Sequence, residues 1–214
     1  MPKQKIILIG GGGHCISVID IIEAGKMYSI DGIIDVKEKI GQKVSGYKII
    51  GSDADIPKLA KSGRFFLITV GHIKSNAVRV NLFTILKNLN VKMPVVISPF
   101  AAVSKHARIG AGTVVMHHST INNSAVIGEN CIINTGAIIE HNTLIGNHCH
   151  ISTAAVINGD CVIGDNCFIG SNAVVSNNVT IGSGTLVGAG TVVIRNAEVN
   201  MIIAGNPAKF ICKR

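Results

Sequence analysis

The sequence predicts a small α/β domain followed by a hexapeptide parallel β-helix, and three observations carry that reading. Sixteen Val or Ile residues recur at a strict six-residue interval from Val103 to Val193. No α-helix or ordinary sheet has that period, but a β-helix does, because each hexad supplies one flat side of a coil. A second inward position, two residues before each aliphatic, is small at fifteen of the sixteen sites, Val179 being the exception. Residues 1–95 lack the hexads and alternate apolar runs with amphipathic stretches, the pattern of a parallel α/β sheet.

The N-terminal elements follow in order. Lys5–Ile9 is a short buried strand, closed by Gly10-Gly11-Gly12-Gly13-His14. Ile16, Ile19 and Ile22 mark a helix, Ile30–Asp35 a second strand ending in an acid, and Tyr47–Ile50 a third. Ser52–Ala60 reads as a helix, Phe65–Val70 as a strand ending at Gly71, and Ser75–Leu89 as a helix. The glycine turn places backbone N–H groups of Gly12, Gly13 and His14 at a helix N-terminus, which suits a phosphate. Asp35, ending the second strand, is placed to accept hydrogen bonds from a sugar or base. Cys15 occupies the third glycine position of G-x-G-x-x-G, so a merely tight turn stays open as an alternative. So short a domain favours a nucleotide-bearing substrate over a dinucleotide redox cofactor. Pro94 and Pro99 mark the joint, giving domains at 1–95 and 96–196 and a C-terminal tail at 197–214.

Three hexads make one triangular coil, so the repeats fill about five coils, roughly 24 Å at the usual strand spacing. Cys131, Cys149, Cys161 and Cys167 fall in the small inward slot and are expected to act there as small hydrophobes. Cys15 and Cys212 have no role in this pattern, and free thiols suit a reducing cytosol. Glycine often follows the aliphatic, as at Gly110, Gly128 and Gly146, and Asn crowds the same corners, where left-handed backbone is expected. The residue just before each aliphatic points outward. One side reads Val114, Ile132, His150, Phe168, Leu186, another Thr120, Ile138, Val156, Val174, Val192, and the third Arg108, Val126, Leu144, Val162, Thr180. Apolar outer walls need covering, most simply by packing three prisms into a trimer.

Composition narrows the function. The charged opening residues and the five-residue apolar run behind them suit neither a signal peptide nor a membrane span, so a cytoplasmic protein is expected. The net charge of +8 suits polyanionic small molecules. Nucleic acid is disfavoured, because aromatics are 4%, Trp is absent and the basic residues are dispersed. Among eight histidines, His150 interrupts the most apolar outer side, and a polar ring there needs a partner. His141 stands at a corner after Glu140, one coil from Gly159, where a bare backbone N–H is suited to an oxyanion. His72 and His106 have no assigned role.

The hexads, the G-x-G-G-H turn, Ile-Glu-His-Asn at 139–142 and the terminal Gly205-Asn206-Pro207-Ala208-Lys209 resemble the sugar acetyltransferases of the left-handed β-helix class. Within that class the chain is most similar to the UDP-4-amino-sugar N-acetyltransferases and the sialic acid O-acetyltransferases of bacterial surface glycan pathways. The resemblance implies a Rossmann-like N-terminal domain, a trimeric left-handed β-helix, acetyl-CoA as co-substrate and no metal. It implies His141 as general base, Gly159 as oxyanion donor, and His150, Ser171 and Ala189 as acetyl-CoA contacts. Gly12, Gly13, His14, Asp35 and Gly71 would bind the nucleotide sugar. In the N-acetyltransferase relatives an acid commonly follows the catalytic histidine, and here that position is Asn142.

The mechanism so implied is direct transfer. His141 takes a proton from the acceptor as it attacks the thioester in a groove between prisms, so that His141 and His150 come from different subunits. The acceptor is an amine of a nucleotide-linked amino sugar or, alternatively, a hydroxyl of a sialic-type acid. Two other classes stand beside these. One is a β-helical zinc carbonic anhydrase using His117, His141, His148 and His150. The other is a noncatalytic solenoid scaffold.

Overall fold

A computed structural model describes residues 3–214, so Met1 and Pro2, the start of the predicted N-terminal domain, lie outside the described residues. The chain divides into two compact units, Met1–Pro99 and Phe100–Arg214. No helix among the described residues is long and apolar enough to cross a membrane.

In the first unit the strands are β1 (Gln4–Ile9), β2 (Tyr28–Ile34), β3 (Lys43–Val44), β4 (Tyr47–Gly51) and β5 (Phe65–Ile68). The helices are α1 (Gly13–Gly25), α2 (Ile56–Ala60) and α3 (Ala77–Asn88). The sheet order is β3-β4-β2-β1-β5, with all neighbours parallel except the short antiparallel pair β3–β4. Ile6–Ile9, Ile33, Ile34 and Phe66–Ile68 are buried, as a sheet with near-continuous Ile and Leu runs requires. The chain leaves β1 to one side through α1 and returns to its other side at β5. The glycine turn after β1 therefore lies at the switch in strand order, where open α/β sheets bind ligands.

In the second unit every hexad forms a two-residue strand, and as far as Val174–Val175 each pairs in parallel with the strand eighteen residues on. Three sheets result, one per side of the prism. The aliphatics from Val115 to Val193 are buried, with the small residues between them. Val179 also fits inside. The terminal segment forms a hairpin, Met201–Ala204 with Lys209–Lys213, whose first strand continues one sheet of the prism. The Gly205–Lys209 segment is its turn: Val192 N–H donates to Gly205 C=O and Ala208 N–H to Val192 C=O, so the turn caps the final coil.

Three sequence expectations change in detail. The glycines directly after the aliphatics have no positive φ. The left-handed residues come three positions after the aliphatic, running from Gly112, His118, Ser124 and Asn130 to Gly184 and Gly190. Glycine after the aliphatic answers a steric need instead, since a Cβ at Gly110, Gly128 or Gly170 would lie within 2.6 Å of the next coil. The inward cysteines do more than fill space. Cys131, Cys149 and Cys167 point Sγ at the carbonyls of Gly146, Gly164 and Gly182, at 3.1–3.2 Å, as Thr113 and Thr143 do with their hydroxyls to Gly128 and Asn158. Small side chains with a donor thus tie each coil to the next. Finally, on the outer side that contains His150, Val114, Ile132, His150 and Phe168 are already buried, and Leu186 is partly exposed.

Candidate active site

Each unit brings one cluster of sequence-predicted residues together. In the first, Gly10 has φ +101 and packs on Val70, conditions only glycine meets. Gly11 donates its N–H to Asp35 Oδ2 at 2.8 Å and has no room for a side chain beside that carboxylate. Gly12 is the N-cap of α1, and neither Gly12 nor Gly13 has any atom of the chain within 4 Å of where a Cβ would stand. Their bareness serves no internal contact, and it opens the first turn of α1 to a ligand. His14 lies against Gly71, whose Cβ would sit 3.2 Å from that of His14. Gly12, Gly13, His14 and Gly71 thus share one end of the sheet.

Asp35 is already engaged. It accepts from Gly11 N–H and Val36 N–H and pairs with Lys39 Nζ at 3.3 Å from both oxygens. Burial alone would raise its carboxyl, but these donors and the Lys39 ammonium outweigh burial and hold it below the usual carboxylate range. Its first task is to fix the glycine turn, leaving only spare lone pairs for a sugar. Arg79, fully buried in α3, donates to the carbonyls of Ile68 and Val70 and so anchors the loop that carries Gly71. Sequence reasoning missed it, because an arginine in an amphipathic helix reads as surface. Cys15 is buried in α1. Burial pushes its thiol up, partly offset by a hydrogen bond with Thr69, so it is an inert packing group.

In the second unit, His141 and Gly159 meet at one corner. The imidazole lies on the bare Cα of Gly159, and a Cβ there would stand 2.5 Å from Cε1 and 2.7 Å from Nε2. The Gly159 N–H makes no hydrogen bond among the described residues, and its carbonyl accepts from Asn178 N–H. Asp160 Oδ2 lies 3.8 Å from His141 Nδ1. One coil earlier on the same corner, Asn123 C=O accepts from Asn142 N–H, and Asn123, Ser124, His106 and Arg108 line a shallow cavity. This gives His106 and Arg108 a setting the sequence did not. At the far end the corner column runs on to Arg195, at a second cavity of about 450 Å³ also lined by Glu198, Met201 and Lys209.

The other predicted residues lie elsewhere on the prism. Ser171 and Ala189 stack on a second corner, two residues past Ile169 and Val187, the place His141 and Gly159 hold on theirs. Neither N–H there is used among the described residues. His150 sits on the side opposite the His141 corner, 8% exposed, with Asn134 Nδ2 3.1 Å from its Nε2 and Phe168 packed edge-on. The ring finds its partners inside the chain. His117 stands on the same corner column as Ser171 and Ala189, and His148 on the third corner, against Asn130. Among the described residues no three side chains converge as metal ligands within the chain.

The PglD N-terminal domain family matches residues 5–86, and the bacterial transferase hexapeptide family (six repeats) matches residues 160–195. PerB from Caulobacter crescentus, solved in complex with CoA and GDP-perosamine, is 33% identical, with 97% of each chain covered and a TM-score of 0.90. That organism's perosamine N-acetyltransferase has also been solved with a histidine replaced by asparagine or alanine. The acetyltransferase domain of PglB from Neisseria gonorrhoeae FA1090 is 32% identical over 98% of this chain and all of that one, with a TM-score of 0.90. That domain has also been solved in complex with acetyl coenzyme A. WeeI from Acinetobacter baumannii AYE, 22% identical over 98% of this chain and 100% of that one at a TM-score of 0.86, shares the fold. Among curated proteins none matches the chain significantly.

Proposed function

The chain belongs to the left-handed β-helix sugar acetyltransferases that use acetyl-CoA, and from that premise we propose that it acetylates the amine of a nucleotide-linked amino sugar. The observation that carries this is the His141 imidazole lying on bare Gly159, with an unused N–H beside it. The acceptor amine attacks the thioester carbonyl while His141 Nε2 takes its proton. The tetrahedral oxyanion receives the Gly159 N–H, the C–S bond breaks, and the proton passes to the departing CoA thiolate. Ser171 and Ala189 N–H groups hold the CoA arm. Gly12, Gly13 and His14 at the N-terminus of α1 take the phosphates of the sugar nucleotide, and Gly71 leaves space beside His14. The likeness to an enzyme solved with GDP-perosamine favours the nucleotide amino sugar over a sialic-type hydroxyl acceptor.

The prism works as a trimer in this reading. His141 and the Ser171–Ala189 column occupy different corners, so a CoA arm held by one copy reaches the base of a neighbour. The test is thiol release from acetyl-CoA with UDP-, GDP- and dTDP-linked 4-amino sugars and with free or CMP-linked sialic acids. Turnover with an amino-sugar nucleotide supports the proposal, and turnover only with a sialic-type acid replaces it by O-acetylation. His141→Ala is expected to lower kcat at least about 10²-fold with the KM for acetyl-CoA near normal.

A further inference from the structure

The acid that the relatives commonly place after the catalytic histidine is absent here, yet a carboxylate still faces the ring. Asp160 comes from the next coil, with φ +60, and its N–H donates to the His141 carbonyl at 3.1 Å. Asn142 Nδ2 donates to Asp160 Oδ1 at 3.0 Å, which leaves Oδ2 turned toward His141 Nδ1. Residues 142 and 160 are one coil apart, so the amide and the carboxylate stack by construction. The nearer acid in sequence, Glu140, is directed elsewhere: its carboxylate accepts from Asn122 Nδ2 at 2.8 Å, one coil back.

Resting on the acetyl-transfer reading above, we propose that Asp160, steered by Asn142, is the positioning residue of His141. A neutral imidazole carries one N–H, and the partner of one nitrogen decides which nitrogen bears it. An ionised carboxylate only accepts, so Asp160 favours the hydrogen on Nδ1. The lone pair then rests on Nε2, the nitrogen lying over Gly159. When Nε2 takes the acceptor's proton, the carboxylate also opposes the new positive charge. The 3.8 Å separation exceeds a direct hydrogen bond, and both side chains are about half exposed, so the effect is moderate rather than absolute.

The test uses the full chain with 15N-labelled histidine, the His141 signal being assigned by its loss in His141→Ala. The wild type should show the Nδ1–H tautomer at His141. Asp160→Asn should move it toward Nε2–H and lower kcat about tenfold with the KM for acetyl-CoA unchanged. Asp160→Glu should recover part of both. An unchanged tautomer and kcat in Asp160→Asn would overturn the proposal. So would a lowered melting temperature and raised KM with the tautomer intact, which would make Asp160 a brace. The tautomer is read without turnover. Absence of activity on every sugar nucleotide would therefore sink the acetyl-transfer reading while leaving this result standing or falling separately.

Discussion

Single atoms decide the outcome at one glycine and one acid. A methyl group at Gly159 would meet the far edge of the His141 ring at 2.5 Å, and that ring is free to swing away. Gly159→Ala should therefore cost little stability but much activity. Displacing the base by about 1 Å is enough for roughly 10²-fold in kcat, to be measured beside an unchanged melting temperature. Asp35 gives the opposite kind of prediction. Its carboxyl titrates below the ordinary range when folded, so its contribution is fully present above the unfolded value near 4 and is lost as pH falls through the lower folded value. Asp35→Asn should lower the melting temperature at pH 7. Its melting curve should also fall less steeply than the wild type's between about pH 5 and 2. Equal acid sensitivity of the two proteins in calorimetry would show that the carboxylate does not hold the glycine turn.

At the scale of the hexad, two positions impose opposite demands. On the corner that carries Gly110, Gly128, Gly146 and Gly164 the residue after the aliphatic must lack a side chain, because the next coil passes within 3 Å of where its Cβ would be, as at Gly128 over Gly146 and Asn147, whereas Asn122 and Glu140 hold the same position on another corner with side chains. The residue three after the aliphatic must adopt left-handed backbone, and Ala154 does so at φ 55 without the benefit of glycine or asparagine. Gly128→Ala should destabilise by about 1–3 kcal/mol, because backbone rather than a flexible tip must move. Ala154→Gly should stabilise by up to about 1 kcal/mol, the relief of left-handed strain exceeding the extra freedom of the unfolded glycine. Denaturant melts of the two variants read both signs. These demands explain what is legible in the sequence. The interior aliphatic and its small neighbour are dictated by the same narrow triangle at every coil, so they repeat visibly. Gly, Asn, Ser, His, Ala and Asp all occupy the left-handed corner, which blurs its composition and leads the eye to the glycines two residues earlier. The thiol donors are equally hidden, because a cysteine chosen for size and one chosen for its S–H look alike. In Cys149 hydrogen bonding with Cys131 and Cys167, together with burial, holds the thiol well above its ordinary range, consistent with an unreactive strut.

Over the whole prism, legibility of the site depends on a spacing of eighteen. Residues one coil apart stack, so His141 with Gly159, and Asn142 with Asp160, are neighbours that can be written down from the numbering alone. Which walls are already covered is not written there, because the outer positions of all three sides are similarly apolar. On the side with His150, Val114, Ile132, His150 and Phe168 are already buried, while Leu144 and Val162 on another side remain exposed at 46% and 39%. A Leu and a Val adjacent on neighbouring strands form an apolar strip that a second prism would cover, and the three-sided section closes most simply with three copies. Light scattering at micromolar concentration should give the mass of three 22.4 kDa chains. Leu144→Glu places a charge in the middle of that strip. It should shift the mass to one chain and remove most acetyl transfer, although its sheet retains the same pairing and circular dichroism. A monomeric wild type with full activity would mean that the thioester carrier and His141 meet on one chain. The CoA contacts would then have to be sought beside His141, along the column that ends at Arg195, rather than at Ser171 and Ala189.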